Sequence, residues 1–401
     1  MAKNFKFYNT STIDLNPCII DYSKKCNTFI IGTYQLIENG TEICDEYTEE
    51  QLTFLNNRIG SINIFDAENK FITKHCCQSG GVFDLKISEY HYTNDNDNEL
   101  IIAAHSNGMF AIYKLKNGKQ IEQIRQIITG TKMLTTIDDS FVDNFLTLAI
   151  GSSDGKLFCY QFSITDSIED LVEQQSIHSI VTKDSSSIWY SKIIRFKINE
   201  FQIEKNLIFV GCEDSTWRIF ACNPQNLTEL FRNCDSSYGV TSIELFRMIQ
   251  IDTKIVSIIL LVGSYDENLR IYSIDLEFNH NSDVKILRCC LQQKIHIEGS
   301  GIWRIRVNND NILISAMYSG AYWLKLEISN ELDNFKQKIQ HNHNSNILNY
   351  KLNKFLFENE DLLNENHLVY GIASDNSQST VIFASFYAKK IFLYKLCDIY
   401  L

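Results

Sequence analysis

The stretch Ile258–Tyr272, IILLVGSYDENLRIY, decides the fold of this chain of 401 residues. Its first five residues are apolar and predict a buried strand. The small and polar residues from Gly263 to Asn268 predict a tight turn, since such residues stabilise turns through their side chains and backbone freedom. Leu269 to Tyr272 then predicts a second strand that ends on an aromatic residue. The stretch therefore predicts two antiparallel strands joined by a short turn.

The same pattern recurs along the chain. Six windows place a small residue nine positions before the end of the second strand, namely 104–113, 151–160, 211–220, 263–272, 316–325 and 385–394. An earlier unit combines residues 29–34 with 61–65, separated by an insertion. Repeats of roughly 40–50 residues, lengthened by loops, are typical of propeller blades. We therefore predict an all-β fold, a single seven-bladed WD-repeat-type β-propeller over residues 1–401.

Each unit needs an innermost strand before its turn. We expect these strands at residues 17–22, 82–87, 133–137, 189–196, 240–246, 302–307 and 368–373. The last blade lacks a fourth strand, and residues 1–12 are the free segment that can supply it, which would leave no open sheet edge. The alternative is a loose terminal tail. Residues 37–58 are expected to form a loop insertion in blade one, and residues 168–175 and 355–363 to form short helices.

Composition narrows the classes of function. The net charge is −12, so the chain lacks the basic stripe that binds phosphates, and we expect no direct nucleic-acid partner. No apolar run reaches the roughly 18–20 residues of a membrane span, and the first residues lack the apolar core of a signal peptide. We therefore expect a cytoplasmic protein whose 12 cysteines are free thiols. No cysteine or histidine spacing favours a metal site.

Several phrases, taken in order, are more specific than the blade pattern. They are Gly32–Leu36 (GTYQL), Gly263–Glu267 (GSYDE), Gly299–Ile305 (GSGIWRI), Met317–Gly320 (MYSG), Leu368–Gly371 (LVYG) and Ala384–Tyr387 (ASFY). In this order they resemble the diphthine methyl ester hydrolases, the WD-repeat proteins of diphthamide biosynthesis. The resemblance covers residues 17–396. It implies hydrolysis of the methyl ester of methylated diphthine on translation elongation factor 2, with no cofactor.

The chain departs from that family at three positions. Ala388 stands where the family has an aspartate, Ser300 where glycine is usual, and Tyr318 where histidine is common. If the aspartate or the histidine acts in catalysis in the family, this chain needs another group.

Candidate site residues follow from propeller geometry. The turn Tyr265-Asp266-Glu267 and the strand entry Trp303-Arg304 belong to neighbouring blades and should meet at one rim of the channel. The implied substrate carries a quaternary ammonium group, which aromatic faces bind well. We expect Glu267 and Asp266 to be catalytic, and the substrate-binding residues to be Tyr265, Trp303, Arg304, Tyr34, Tyr387 and Trp189.

Structural roles compete with this interpretation. Asp266 shares its slot with Asp154 and Asp214, and a turn-stabilising role explains all three. Trp303 can instead wedge between blades, and Arg304 can pair with an acid of a neighbouring blade.

The chain has no esterase signature, and propellers often act without chemistry. The alternative function is therefore a scaffold or adaptor for protein complexes, in membrane trafficking or ubiquitin ligation. A deep aromatic pocket with a carboxylate would indicate a small cationic ligand, whereas a broad flat face would indicate protein docking.

Overall fold

Four-stranded antiparallel sheets make up nearly all of the regular secondary structure in the described part of the protein. The computed structural model describes residues 3–38, 48–55, 57–88, 98–142, 144–164, 171–182, 184–198, 203–223, 226–279, 283–328, 348–355 and 367–398. Over these residues there are seven such sheets, one two-stranded ladder and one short helix. The seven sheets are the blades of a β-propeller, and the predicted fold is confirmed.

In each blade the four strands are ordered from the innermost, at the channel, to the outermost. Blade 1 has β2 (Pro17–Ser23), β3 (Thr28–Thr33), β6 (Ser61–Asp66) and β7 (Phe71–Cys76). Blade 2 has β8 (Val82–Ile87), β9 (Asn98–His105), β10 (Met109–Lys116) and β11 (Gln120–Ile128). Blade 3 has β12 (Leu134–Val142), β13 (Phe145–Ser152), β14 (Lys156–Ile164) and β15 (Leu171–Ile180). Blade 4 has β16 (Ile188–Ile198), β17 (Ile203–Cys212), β18 (Trp217–Asn223) and β19 (Asn226–Asn233).

The remaining blades follow the same order. Blade 5 has β20 (Val240–Gln250), β21 (Ile255–Ser264), β22 (Asn268–Phe278) and β23 (Val284–His296). Blade 6 has β24 (Arg304–Asn308), β25 (Asn311–Ser315), β26 (Ala321–Ile328) and β27 (Leu348–Lys354). Blade 7 has β28 (Val369–Ser374), β29 (Thr380–Ser385), β30 (Lys390–Asp398) and β1 (Lys3–Thr12).

The innermost strands form a closed ring around a central channel. Each of β2, β8, β12, β16, β20, β24 and β28 packs against the next, and β28 packs against β2. All seven lie within a few residues of the positions that the sequence predicts. We call the end of the channel where these strands begin the upper end, and the end where they finish the lower end.

Strand β1 closes the ring. It pairs antiparallel with β30, for example Phe7 with Tyr394, and so supplies the fourth strand of blade 7. The Phe5 ring packs 5.3 Å from that of Phe355 and 5.8 Å from that of Trp323 in blade 6. The first and last strands of the chain therefore share one sheet, and the prediction of a ring-closing strand in residues 1–12 is confirmed.

The helix predicted at residues 168–175 is wrong where the structure describes it. Residues from Leu171 onward belong to β15, which pairs with β14 and alternates between exposed and half-buried side chains from Gln175 to Ile180. A period of two fits an outermost strand with one solvated face, and no helical stripe is present. The second predicted helix, at residues 355–363, lies outside the described residues apart from the buried Phe355.

The insertion in blade 1 carries local structure of its own. Helix α1 (Glu49–Phe54) begins with a capping box in which the side chains of Thr48 and Gln51 each accept from the other residue's backbone N–H. The ladder of β4 (Gln35–Leu36) with β5 (Arg58–Ile59) closes the base of the insertion. Leu52 of the helix and Leu55 at its C-cap pack in a small apolar cluster with Leu15, Ile37 and Ile59. Residues 39–47 and 56 lie outside the described part.

Carboxylates tie neighbouring innermost strands together. Asp21 Oδ2 accepts the Ile87 N–H at 2.8 Å, and Asp138 Oδ2 accepts the Ile193 N–H, also at 2.8 Å. Asp84 makes the same bond to the next blade's innermost strand. A channel-facing strand edge has no further strand to pair with, so these bonds satisfy N–H groups that would otherwise be unpaired. Several acids of the channel wall therefore have structural roles.

Candidate functional site

Asp266 stabilises the turn between β21 and β22. Its carboxylate pairs with Arg270, whose Nη1 lies 2.9 Å from Oδ1, and both side chains are almost fully buried. Ser264 Oγ, the Ser237 N–H and the Asn268 N–H also donate to it. Burial alone would raise the pKa of Asp266, but these hydrogen bonds outweigh it and hold the pKa well below its usual range. Every oxygen is thus occupied, which favours the turn role over proton transfer.

Two other blades repeat this device. Asp154 accepts from Ser152 Oγ at 2.6 Å and lies 3.1 Å from Lys156 Nζ. Asp214 accepts from Thr216 Oγ1 at 2.6 Å and pairs with Arg218. The acid is followed within four residues by its basic partner in all three turns. The slot shared by these aspartates is therefore explained by turn stability.

Glu267 points away from the aromatic residues of the rim. Its φ of 65° is left-handed, as are those of Gly155, Ser215 and Gly320 at the same turn position. Its Oε2 lies 3.5 Å from Nε2 of His296, which ends the outermost strand β23. The neighbouring Tyr265 instead contacts rings at the channel. The structure thus separates two groups that the sequence places at one site.

Aromatic side chains close the upper end of the channel in one continuous cluster. They come from the starts of innermost strands and from the turns that follow second strands. We call this set the aromatic cluster; it comprises Tyr34, Phe83, Trp189, Tyr265, Trp303, Tyr370 and Phe386. Successive ring centroids lie between 4.6 and 6.5 Å apart, within or near the range in which aromatic pairs attract each other. Four predicted binding residues are therefore brought together at this end of the channel.

Trp303 is the buried centre of the cluster. Only 2% of it is exposed, and its ring stacks on Tyr370 with a centroid separation of 4.6 Å. The Arg304 guanidinium lies 4.7 Å from the Trp303 ring centroid. With these neighbours, Trp303 supports the other rings and offers no open face to a ligand. This matches the wedge role rather than direct binding.

Arg304 is buried beneath the cluster, with 1% of its surface exposed. Its Nη1 donates to the carbonyl oxygens of Thr241 at 2.9 Å and Trp303 at 3.0 Å. Burial raises the pKa of the Asp84 carboxyl, and the charge of Arg304 opposes that shift. Arg304 therefore acts by charge on an acid of blade 2, three blades away. Among the described residues it forms no ion pair with an acid of a neighbouring blade, which is the contact that the structural alternative expects.

A carboxylate that the sequence pattern did not single out, Glu213, stands beside the cluster. Its Oε2 accepts a hydrogen bond from Trp189 Nε1, and the side chain is exposed to solvent. A Cβ on Gly239 would lie 2.6 Å from this oxygen and 3.2 Å from the Tyr265 ring, so a glycine leaves room for both. The rings of Trp189 and Tyr265 are 6.3 Å apart and nearly perpendicular. Glu213, Trp189 and Tyr265 thus form a corner open to solvent.

The register of the turns contains the signal that finds Glu213. It occupies the third turn position, which Tyr265 fills in blade 5 and Tyr318 and Tyr387 fill in blades 6 and 7. Tyr265 contacts the channel cluster, so the equivalent Glu213 is directed to the same end. Of the six windows, only the one in blade 4 has an acid at this position.

The two remaining tyrosines of this position are exposed. Tyr387 is 62% exposed and meets the Phe386 ring edge-on at 5.2 Å. Tyr318 is 52% exposed, and its N–H donates to Ser300 Oγ at 3.3 Å. The serine at position 300 therefore stabilises the loop that precedes Trp303. Tyr387 lies at the edge of the site, outside the packed cluster.

No family model matches this sequence, and a search of curated proteins finds no match.

No helix in the described part of the chain is long and apolar enough to cross a membrane. Over the same residues, no group of three or more His, Cys, Asp or Glu side chains could hold a metal ion. The chain is a seven-bladed β-propeller with an aromatic and carboxylate site at the upper end of its channel.

Proposed function

We propose that the protein hydrolyses the methyl ester of methylated diphthine on translation elongation factor 2. The observation that carries this proposal is the corner formed by Trp189, Tyr265 and the Glu213 carboxylate. The substrate is inferred from the resemblance that the ordered sequence phrases carry. The corner has the aromatic and carboxylate side chains that suit this substrate. On this proposal the protein acts in the cytoplasm as a carboxylic ester hydrolase.

Recognition depends on the cation of the substrate. A quaternary ammonium group has no N–H to donate, so it binds through aromatic faces and nearby negative charge. Trp189 and Tyr265 present two rings at 86° to each other, and the Glu213 carboxylate lies beside both. Both rings are half-buried, so part of each remains accessible. A trimethylammonium group seated in this corner would place its ester next to the same carboxylate.

Glu213 is the group that activates water in this mechanism. Its carboxylate removes a proton from a water molecule, and the resulting hydroxide attacks the ester carbonyl carbon. The tetrahedral intermediate then loses methoxide, which takes the proton back from Glu213 and leaves as methanol. The other product is the diphthine carboxylic acid, which loses its proton to solvent and becomes the carboxylate.

Tyr265 is placed to stabilise the oxyanion. Burial, and then the charge of Glu213, raise the pKa of the Tyr265 hydroxyl above its usual range. The hydroxyl therefore stays protonated at neutral pH and is a donor for the developing negative charge. The proposed reaction uses side chains and water, in agreement with the cofactor-free reaction that the resemblance implies.

Exposed tyrosines favour a second candidate, a scaffold. Tyr238, Tyr318 and Tyr387 are 65%, 52% and 62% exposed, and tyrosines are frequent in protein interfaces. In the hydrolase account such residues contact the body of the elongation factor. In the scaffold account they bind a partner protein and no bond is broken.

The test is hydrolysis of the modified protein itself. Elongation factor 2 carrying methylated diphthine is incubated with the purified propeller, and the modified peptide is followed by mass spectrometry. We expect the peptide to lose one methyl group while methanol is released. An unchanged peptide, with a folded propeller and an active family enzyme run in parallel, would overturn the hydrolase and favour the scaffold.

A further inference from the structure

A cavity lies at the lower end of the channel, away from the aromatic cluster. Its volume is about 530 Å³, and it is bounded by the ends of the innermost strands. Five basic side chains line it, namely Lys24, Lys25, Lys86, Lys192 and Arg306. Three acids, Asp21, Glu99 and Glu244, also line it. The lining is therefore positive in a chain whose net charge is −12.

All three acids are already engaged by the protein, and Glu244 Oε1 accepts from the Tyr190 hydroxyl at 2.6 Å. Asp21 accepts the Tyr22 N–H at 3.0 Å through Oδ1 and the Ile87 N–H at 2.8 Å through Oδ2. Glu99 accepts from the hydroxyl of the buried Ser23. These contacts fix the positions of the carboxylates, which keep their negative charge. With Asp138 beside Lys86 and Lys192, four acids face the five basic side chains, which leaves an excess of one positive charge.

Lys86, Lys192 and Arg306 form a network of ion pairs with Asp138 and Glu244, at distances of 3.3 Å or more. Lys86 Nζ lies 3.6 Å from Asp138, and Lys192 Nζ lies 3.3 Å from Glu244 and 3.9 Å from Asp138. Arg306 Nη1 lies 3.6 Å from Glu244. These distances exceed those of strong charge-assisted hydrogen bonds, which are about 2.7–2.9 Å. Each cation therefore retains donors for another acceptor.

One donor is unpaired outright. Arg306 Nε is buried and has no hydrogen-bond partner among the described residues. A buried donor without a partner is destabilising. Lys86, Lys192 and Arg306 have side chains that are 26%, 18% and 23% exposed, so all three are partly desolvated and accessible from the cavity. Partial desolvation strengthens their attraction for a negative ligand.

We propose that the lower cavity binds a small polyanion, a molecule that carries at least two phosphate or carboxylate groups. Lys86, Lys192 and Arg306 would share its oxygens, and Lys24 and Lys25 at the mouth would add charge. The acidic remainder of the chain repels anions, which favours this cavity over the rest of the surface. This site is separate from the upper end, and it does not depend on the proposed hydrolysis.

The test measures binding of two probes by isothermal titration calorimetry at low salt. Pyrophosphate represents phosphate ligands and citrate represents carboxylate ligands. Comparing the two titrations therefore shows which of the two kinds of anion the cavity prefers. We expect at least one probe to bind, and Lys192→Gln and Arg306→Gln each to weaken binding about tenfold, the equivalent of about 1.4 kcal/mol. The matched control is Lys285→Gln on the exposed side of β23, which changes the net charge equally and should bind as the wild type does.

Three results would overturn the proposal. Neither probe binds; or the Lys285→Gln control weakens binding as much as the cavity variants do; or both cavity variants, folded by circular dichroism, bind unchanged. If one cavity variant does not fold, Lys86→Gln takes its place, since Lys86 lines the same cavity.

Discussion

The Asp266→Ala variant is expected to unfold with a free energy about 3–5 kcal/mol lower than that of the wild type, because it leaves a buried guanidinium without its partner. Asp266 and Arg270 have side chains that are 5% and 2% exposed, so water replaces little of the lost interaction. Urea unfolding measures the difference. The matched control is Asp154→Ala in the same turn slot, where Asp154 and Lys156 are 22% and 30% exposed and a smaller loss is expected.

The pH dependence of this difference has a definite sign. The pKa of Asp266 is lowered on folding, so its stabilisation is fully present above its unfolded pKa of about 4 and is lost as the pH falls through the folded value. The gap between the wild type and Asp266→Ala should therefore narrow below about pH 4. A variant of wild-type stability that has lost hydrolysis would contradict the turn role and restore Asp266 as a catalytic residue.

The Glu213→Gln variant is expected to lower kcat for ester hydrolysis by about 10²-fold or more, the usual contribution of a general base. Glutamine keeps an oxygen to accept from Trp189 Nε1, so the corner should stay in place and KM should change little. Initial rates measured on the modified elongation factor separate the two constants.

Glu267→Gln is the comparison that identifies the acting carboxylate. Glu267 neighbours His296 on the outermost strand, so we expect its replacement to leave kcat near the wild-type value. The opposite pattern, with Glu267→Gln inactive and Glu213→Gln active, would contradict the assignment of the base.

Much of the fold is predictable from the sequence because the blade pattern is local. A strand, a polar turn and a second strand can be identified within one window, and six windows with the earlier split unit define the seven blades of the ring. Closure by β1 follows from counting strands, since blade 7 is incomplete without it. The failed helix at residues 168–175 shows the limit, because an outermost strand has one solvated face and its weak pattern does not reveal its partner.

The site is less predictable because it depends on contacts between blades. Sequence spacing places Tyr265 and Trp303 near each other, and the structure brings them to 6.1 Å. Spacing does not reveal that Arg304 and Tyr370 cover Trp303, or that Glu267 turns toward β23. Glu213 could be identified as a site residue from the turn register. It occupies the same turn position as Tyr265, and Tyr265 faces the upper end of the channel.

The most direct measurement of the central claim, recognition of a quaternary cation at the upper end, is a titration followed by tryptophan fluorescence. Choline supplies the cation, and dimethylbutanol, its neutral carbon isostere, supplies the same shape without charge. We predict that choline changes the emission saturably, that dimethylbutanol does not, and that Trp189→Phe removes the response. Equal responses to both compounds, or a choline response that survives in Trp189→Phe, would contradict the account.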